Sequence, residues 1–248
     1  MPKLMNLNME EHRVPGSTFM FSAVRPQDLG ATEYTLVVYV EDDTGSVNSF
    51  ASELLTCKKE AIRSCLKSPK SGNLLVRNTQ FSNKQVREIH GYKLLTTIDP
   101  DTEYNLSNPD GGTPLYDATY EAIGSITSYA DQLAKLDILV NGIIFVITDG
   151  DDNQSKCTPS MIRQQMEQVK KSEQLESLMV VLIGVNTQER SLAYKLETFQ
   201  QDTALTGYID IQNANKASLA KLAGFVSKSI SSQSQSLGSG AVSQLLTI

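Results

Sequence analysis

Cysteine and histidine are scarce in this chain. Three cysteines (Cys57, Cys65 and Cys157) among 248 residues exclude a disulfide-stapled scaffold. No two of them have CxxC spacing, and two histidines, His12 and His90, are too few for a His/Cys zinc site. Positive charge is also short: 22 Lys and Arg against 28 Asp and Glu leave a net charge of −6, which argues against general nucleic-acid binding. No apolar run approaches the roughly 18 residues of a membrane span. The opening residues 1–12 contain no apolar h-region of a secretory signal. These absences lead to the expectation of a soluble, cytoplasmic protein in a reducing compartment, with neither nucleic acid nor membrane as partner.

What is present is 40% hydrophobic residues, enough for one full core. Tyr34–Val40 is a continuous apolar, β-branched run, the pattern of a strand buried on both faces of a parallel sheet. Phe50, Leu54, Cys57, Ala61 and Cys65 then recur in steps of three and four, which predicts a helix with both cysteines packed in the core. Further strands are predicted at Leu74–Phe81, Gly91–Thr97, Gly142–Thr148, Leu178–Val185 and Tyr208–Ile211. Helices are predicted after Pro114, around Met161–Val169, near 190–201, and through Leu219–Ile230. The alternation implies right-handed βαβ units: an α/β, doubly wound, mostly parallel central sheet with helices on both faces, Rossmann-like. Residues 1–33 read as an irregular N-terminal extension with Phe19–Phe21 packing on the domain, 34–230 as the domain, and 231–248 as a Ser/Gln/Gly-rich tail. The tail is predicted to be flexible over Ser231–Ser243, with Leu245–Ile248 available to anchor on a sheet edge.

Charge is unevenly spread. Residues 57–93 carry nine Lys/Arg against two Glu, whereas residues 94–152 carry Lys135 alone against eleven acids. Ligands of an open parallel sheet bind beyond the carboxyl ends of its strands. Three segments belong there: Asp42-Asp43-Thr44-Gly45-Ser46, Gly111-Gly112-Thr113-Pro114-Leu115-Tyr116-Asp117-Ala118, and Asp149-Gly150-Asp151-Asp152-Asn153. They offer carboxylates and hydroxyls with no imidazole and no plausible thiolate, a hard oxygen set suited to Mg²⁺, Mn²⁺ or Ca²⁺ rather than zinc. Helix N-capping is the simpler explanation for Asp42 and Thr113, but it leaves the shared chemistry of three separated loops unexplained.

These segments resemble the von Willebrand factor A (vWA) domain with its metal-ion-dependent adhesion site (MIDAS). The family's Asp-x-Ser-x-Ser stands here as Asp42-x-Thr44-x-Ser46, with a threonine that keeps the hydroxyl. Its Gly-Gly-Thr-Pro-Leu-Tyr-Asp-Ala stands unchanged around Thr113, and its strand-ending Thr-Asp-Gly as Thr148-Asp149-Gly150. The likeness covers about residues 34–230. It implies a metal site of Asp42, Thr44, Ser46, Thr113 and Asp149, with Mg²⁺ as cofactor, no catalysis, and an open coordination position filled by the Asp or Glu of a protein partner. It also implies an intracellular adaptor of AAA+ ATPases, kinases or phosphatases. Asp43, Asp151 and Asp152 are expected to face water, Asp117 to favour the start of its helix, and His90 to be structural. The surrounding acids predict a partner carboxylate flanked by Lys or Arg.

Two other functions are open to such a sequence. A haloacid-dehalogenase-type Mg²⁺ phosphohydrolase also places acids after its first strand. With Asp43 as its second acid, however, Glu41 would be the nucleophile, one methylene too long. A structural subunit whose metal only stabilises loops is the other.

Overall fold

Among the described residues of the computed structural model (8–172, 174–239 and 245–247) the chain runs β1 (Met9–Arg13), β2 (Met20–Val24), β3 (Glu33–Asp42), α1 (Ala51–Leu66), β4 (Leu74–Ser82), β5 (Gln85–Leu94), α2 (Pro100–Glu103), α3 (Leu115–Ala134), β6 (Leu139–Thr148), α4 (Pro159–Lys171), β7 (Leu178–Val185), α5 (Arg190–Thr203), β8 (Gly207–Ile211) and α6 (Lys216–Ser236). The strands form one sheet in the order β1-β2-β5-β4-β3-β6-β7-β8. The β4-β3-β6-β7-β8 stretch is parallel.

The apolar run of β3 is continuous because both of its faces are covered. Leu36, Val38 and Val40 face α3 and its neighbours α4 and α5, while Val37 and Tyr39 face α1 and α6. Ile144 and Val146 of β6 divide from Ile143, Phe145 and Ile147 in the same way. Each such side chain contributes about 1.5–3 kcal/mol by leaving water. Cys57 and Cys65 lie buried on the inner face of α1, and burial pushes both thiols up to about 12. The doubly wound α/β reading holds.

The structure departs from the sequence reading at both ends and at one hairpin. Residues 8–33 are not irregular: β1 and β2 form an antiparallel hairpin that extends the sheet. β2 meets β5 at a single ladder pair, Ala23↔Tyr92, and the Glu88 carboxylate accepts from the Ser22 N–H and hydroxyl beside it. Glu88 and Glu121 share Arg77, whose guanidinium lies wholly inside the protein. The strand expected at Gly91–Thr97 starts at Gln85 and runs antiparallel to β4. The two-residue turn, Asn83-Lys84, has positive φ at both positions (49° and 62°) but lacks the glycine that usually signals it.

The tail is the third departure. Helix α6 continues to Ser236, although Ser231–Ser243 was expected to be flexible. Its polar residues are buried as well: Gln233 donates to the Gly142 carbonyl (3.0 Å) and the Ser177 hydroxyl (2.8 Å), and its own backbone carbonyl accepts from Asn141 Nδ2 (2.6 Å). Buried polar groups with partners order a helix that composition alone would call soluble coil. Residues 240–244 and Ile248 lie outside the described residues. Leu245 packs against Gly207 of the edge strand β8, by side-chain contact and not by an added strand.

Candidate functional site

β3 and β6 are adjacent and parallel, so Asp42 and Thr148 end side by side. The buried Asp42 carboxylate accepts the Thr148 hydroxyl at 2.6 Å and the Thr44 N–H at 2.9 Å. The first contact ties the two strand ends together, and the second closes the turn that leads into the 3-10 segment Gly45–Ser49. Thr44 Oγ1 lies 3.1 Å from Ser46 Oγ, and the Ser46 hydroxyl donates to Asp149 at 2.6 Å. Two of the three loops thus meet through a chain of oxygens, Thr44–Ser46–Asp149.

The third loop is drawn in by backbone contacts. Gly45 N–H donates to the Gly111 carbonyl (3.3 Å), Asp110 N–H to the Asp43 carbonyl (3.1 Å), and Asn83 N–H to the Gly112 carbonyl (3.0 Å). Gly111 is required twice over: its φ is +81°, and a Cβ there would collide with the Asn83 side chain. Thr113 N–H donates to Asn153 Oδ1 (2.8 Å), and the Thr113 carbonyl accepts from Asn153 N–H (3.0 Å). The Thr113 hydroxyl faces the Asp149-Gly150 turn, where a Cβ on Gly150 would stand 3.3 Å from it.

All five predicted site residues are therefore in one place. N-capping does not explain them. Asp42 does accept from Thr44 N–H, but the residue at the N-cap of α3 is Pro114, with no side-chain cap, so Thr113 caps nothing.

The local electrostatics favour a cation. Burial raises the Asp42 pKa to about 6, and the Asp149 charge adds to this against hydrogen bonds from Thr148 and Thr44. Burial also raises Asp149, against the hydrogen bond from Ser46. Two carboxylates that ionise reluctantly, three hydroxyls and no nitrogen or sulfur donor fit a hard divalent ion. Among the described residues no group of three or more His, Cys, Asp or Glu side chains converges, so any site here relies on hydroxyl donors.

No protein-family model matches the chain, and no relative was found among curated proteins. Solved structures do resemble it. The pilus adhesin SpaC from Lactobacillus rhamnosus GG superposes with a TM-score of 0.60 at 13% identity, over 86% of this chain and 31% of that one. A mutant PilB minor pilin from Streptococcus sanguinis gives 0.57 at 17%, over 87% and 65%. Proximal thread matrix protein 1 of the mussel byssus, in a structure with a zinc-occupied MIDAS motif, gives 0.50 at 17%, over 81% and 46%. The fold is vWA-like. The chain spans less than two thirds of the length of each of these proteins.

Within this vWA-like fold several acids do other work than the sequence implied. Asp43 does not face water: it is buried, accepts from the Ser107 hydroxyl, and pairs with Arg87 at 3.2 Å. Asp152 turns inward to the Tyr116 N–H and Ser155. Asp151 pairs with Lys195 at 3.0 Å. Asp117 is more than helix-start charge, since its carboxylate accepts from Lys156 and Cys157 N–H and clamps the loop after Asp149. His90 is structural, hydrogen-bonded to the Tyr104 hydroxyl (2.9 Å) and the Gly91 carbonyl (3.0 Å). Asn83 and Asn153, which hold the Thr113 loop, had no signal beyond their turn-forming residue type.

Glu41, the nucleophile position of the phosphohydrolase alternative, is buried against Lys58 and Asn78. Lys58 also lies over the Tyr104 ring at 4.5 Å. Both contacts of Glu41 engage one oxygen, Oε2, and tie it to a buried ammonium and amide.

Proposed function

We propose that this chain is a protein-binding module whose site holds a divalent cation, Mg²⁺ foremost with Mn²⁺ or Ca²⁺ as substitutes, and binds a partner through that partner's Asp or Glu. The observation that carries the proposal is the meeting of Thr44, Ser46 and Asp149 in one oxygen chain, with the Thr113 hydroxyl facing the same turn. Ser46 and Thr113 would hold the ion through their hydroxyl oxygens, with Thr44 beside them. Asp42 and Asp149 supply two negative charges that balance its two positive ones. The ion, when bound, supplies a coordination position for an incoming carboxylate.

The chain's own residues do the positioning. Thr148 holds Asp42 in place, Ser46 orients Asp149, and Asn153 fixes the backbone of Thr113. The cluster holds no imidazole and no thiol, and we read the module as non-enzymatic. The adhesins and the byssal matrix protein among its structural neighbours support that reading, and the zinc in the last of them supports a divalent cation. Its three cysteines are free, in keeping with a reducing, cytoplasmic setting. Within such a setting AAA+ ATPases, kinases and phosphatases are the partner classes to seek.

The test is affinity capture with mass spectrometry in Mg²⁺ and in EDTA, with wild type and Thr113→Ala. A partner retained only by wild type and only with the ion is expected. A complex that survives both EDTA and Thr113→Ala overturns the mechanism. Mg²⁺-dependent turnover of an aryl phosphate that is lost in Asp43→Asn would make the protein an enzyme instead.

A further inference from the structure

The rim of the site carries a second message, about the chemistry that flanks the partner's carboxylate. Leu106 and Tyr194 are the most exposed large hydrophobic residues among those described, at 60% and 70%. Single exposed apolar side chains are ordinary, but the placement of these two is not arbitrary. Leu106 precedes Ser107, whose hydroxyl is bonded to Asp43, the residue after Asp42. Tyr194 precedes Lys195, whose ammonium is 3.0 Å from Asp151, two residues past Asp149. Leu106 stands on the β4 and α1 side and Tyr194 on α5, which packs on β7 and β8, with the ends of β3 and β6 between them.

The acids around the site, by contrast, are largely compensated from within. Asp43 pairs with Arg87, Asp101 with Arg63 and Lys59, and Asp151 with Lys195. Asp99 caps α2, and Asp152 points inward. A partner's Lys or Arg would have to displace these cations and would gain little. Beside Asp43 a groove of about 800 Å³ opens along Gln80, Asn105, Leu106 and Asn108, and the charged groups that also line it, Lys58, Arg87, Glu88 and Glu103, are each paired within the protein. Its amide side chains can hydrogen-bond a peptide backbone without selecting for charge.

We propose, resting on the function given above, that the partner is an extended protein segment whose acidic residue is bracketed by apolar side chains. Its backbone lies in the Asn105–Asn108 groove, one apolar side chain rests on Leu106, and another rests on Tyr194 across the site. This replaces the Lys- or Arg-flanked carboxylate expected from the sequence.

The experiment is selection from a displayed library of short peptides with one fixed Asp and randomised flanks, in Mg²⁺ and with elution by EDTA. Leu, Ile, Phe or Met are expected to dominate the flanks. Leu106→Ser and Tyr194→Ser should each weaken the selected peptide by about tenfold, the scale of an interface anchor, with unchanged circular dichroism because both side chains lie at the surface. Enrichment of Lys or Arg, or full binding by both variants while Mg²⁺ and Thr113 remain essential, overturns this proposal and leaves the function standing. Failure to recover any EDTA-eluted peptide overturns both.

Discussion

Removing the Asp149 charge while keeping its shape isolates the ion from the fold. In Asp149→Asn the side-chain oxygen can still accept from Ser46, so the link between the two loops survives. The charge that repels Asp42 is gone, and Asp42 no longer has that part of its upward shift. In EDTA the variant should therefore melt at or above the wild-type temperature. The wild type should respond strongly to metal, because an ion bound by the folded state alone at ~100-fold over its dissociation constant adds about 2.7 kcal/mol. For a chain of this length that corresponds to roughly 5–10 °C in Tm. Asp149→Asn should show little or none of this rise. Differential scanning calorimetry of both proteins in EDTA and in millimolar Mg²⁺ or Mn²⁺ reads all four values. A wild-type Tm that does not move, or an equal rise in the variant, refutes the assignment of the ion to this site.

Acid should weaken the fold through His90. Burial pushes its pKa from 6.5 down to about 3, so the unfolded chain takes up a proton that the folded one refuses. The stabilising contribution is complete above pH 6.5 and is lost as pH falls towards 3, about 2 kcal/mol of it between pH 7 and pH 5. Urea denaturation in EDTA should show His90→Gln losing less over that interval, and parallel pH slopes would refute it. Lys84→Gly should raise stability by about 1 kcal/mol, because φ of 62° suits glycine. A drop in the urea midpoint would show that the turn depends on the lysine side chain. Arg77→Met strands the buried Glu121 and takes a partner from the part-exposed Glu88 and should cost about 3–5 kcal/mol. A loss under 1 kcal/mol by the same assay would mean that Glu121, whose pKa burial already raises, is protonated in the fold.

The parts of the fold that rest on side-chain periodicity were legible in the sequence. The Tyr34–Val40, Gly142–Thr148 and Leu178–Val185 runs have no polar phase, and each lies in a strand covered on both faces. The site was legible for a related reason. Strand ends are where apolar runs stop, so Asp42 and Asp149 mark their own position, and the identical wording around Thr113 supplied the third loop. The β4–β5 pairing was hidden because its turn uses Asn83-Lys84, which lacks the expected glycine. The last turns of α6 were hidden because Gln233 and Ser234 are polar yet buried, and the partners of Gln233 on β6 and before β7 are far away in sequence. Asp43, Asp117 and Asp152 were misjudged on the same ground. A carboxylate satisfied by backbone N–H, hydroxyl or guanidinium groups from another segment cannot be told from a solvated one without the fold.

Besides the Asp42–Thr148 and Ser46–Asp149 contacts, the loops that carry the site are fastened to one another by groups that are not candidate ligands. Asn153 grips both backbone groups of Thr113, Asn83 holds Gly112, and the backbones of Asp43 and Asp110 are joined directly. None of these contacts uses the hydroxyls of Thr44, Ser46 or Thr113, or the carboxylates of Asp42 and Asp149. Loss of the ion therefore leaves the loops tethered and removes only what the ion adds: its binding energy and the coordination position offered to a partner. A structural subunit held together by metal would show the reverse, with loop contacts routed through the ligand atoms. On the function proposed above, the cation would serve recognition more than folding, so EDTA should abolish partner capture while circular dichroism stays native. An unfolded or aggregated protein in EDTA at room temperature would reverse that order of roles.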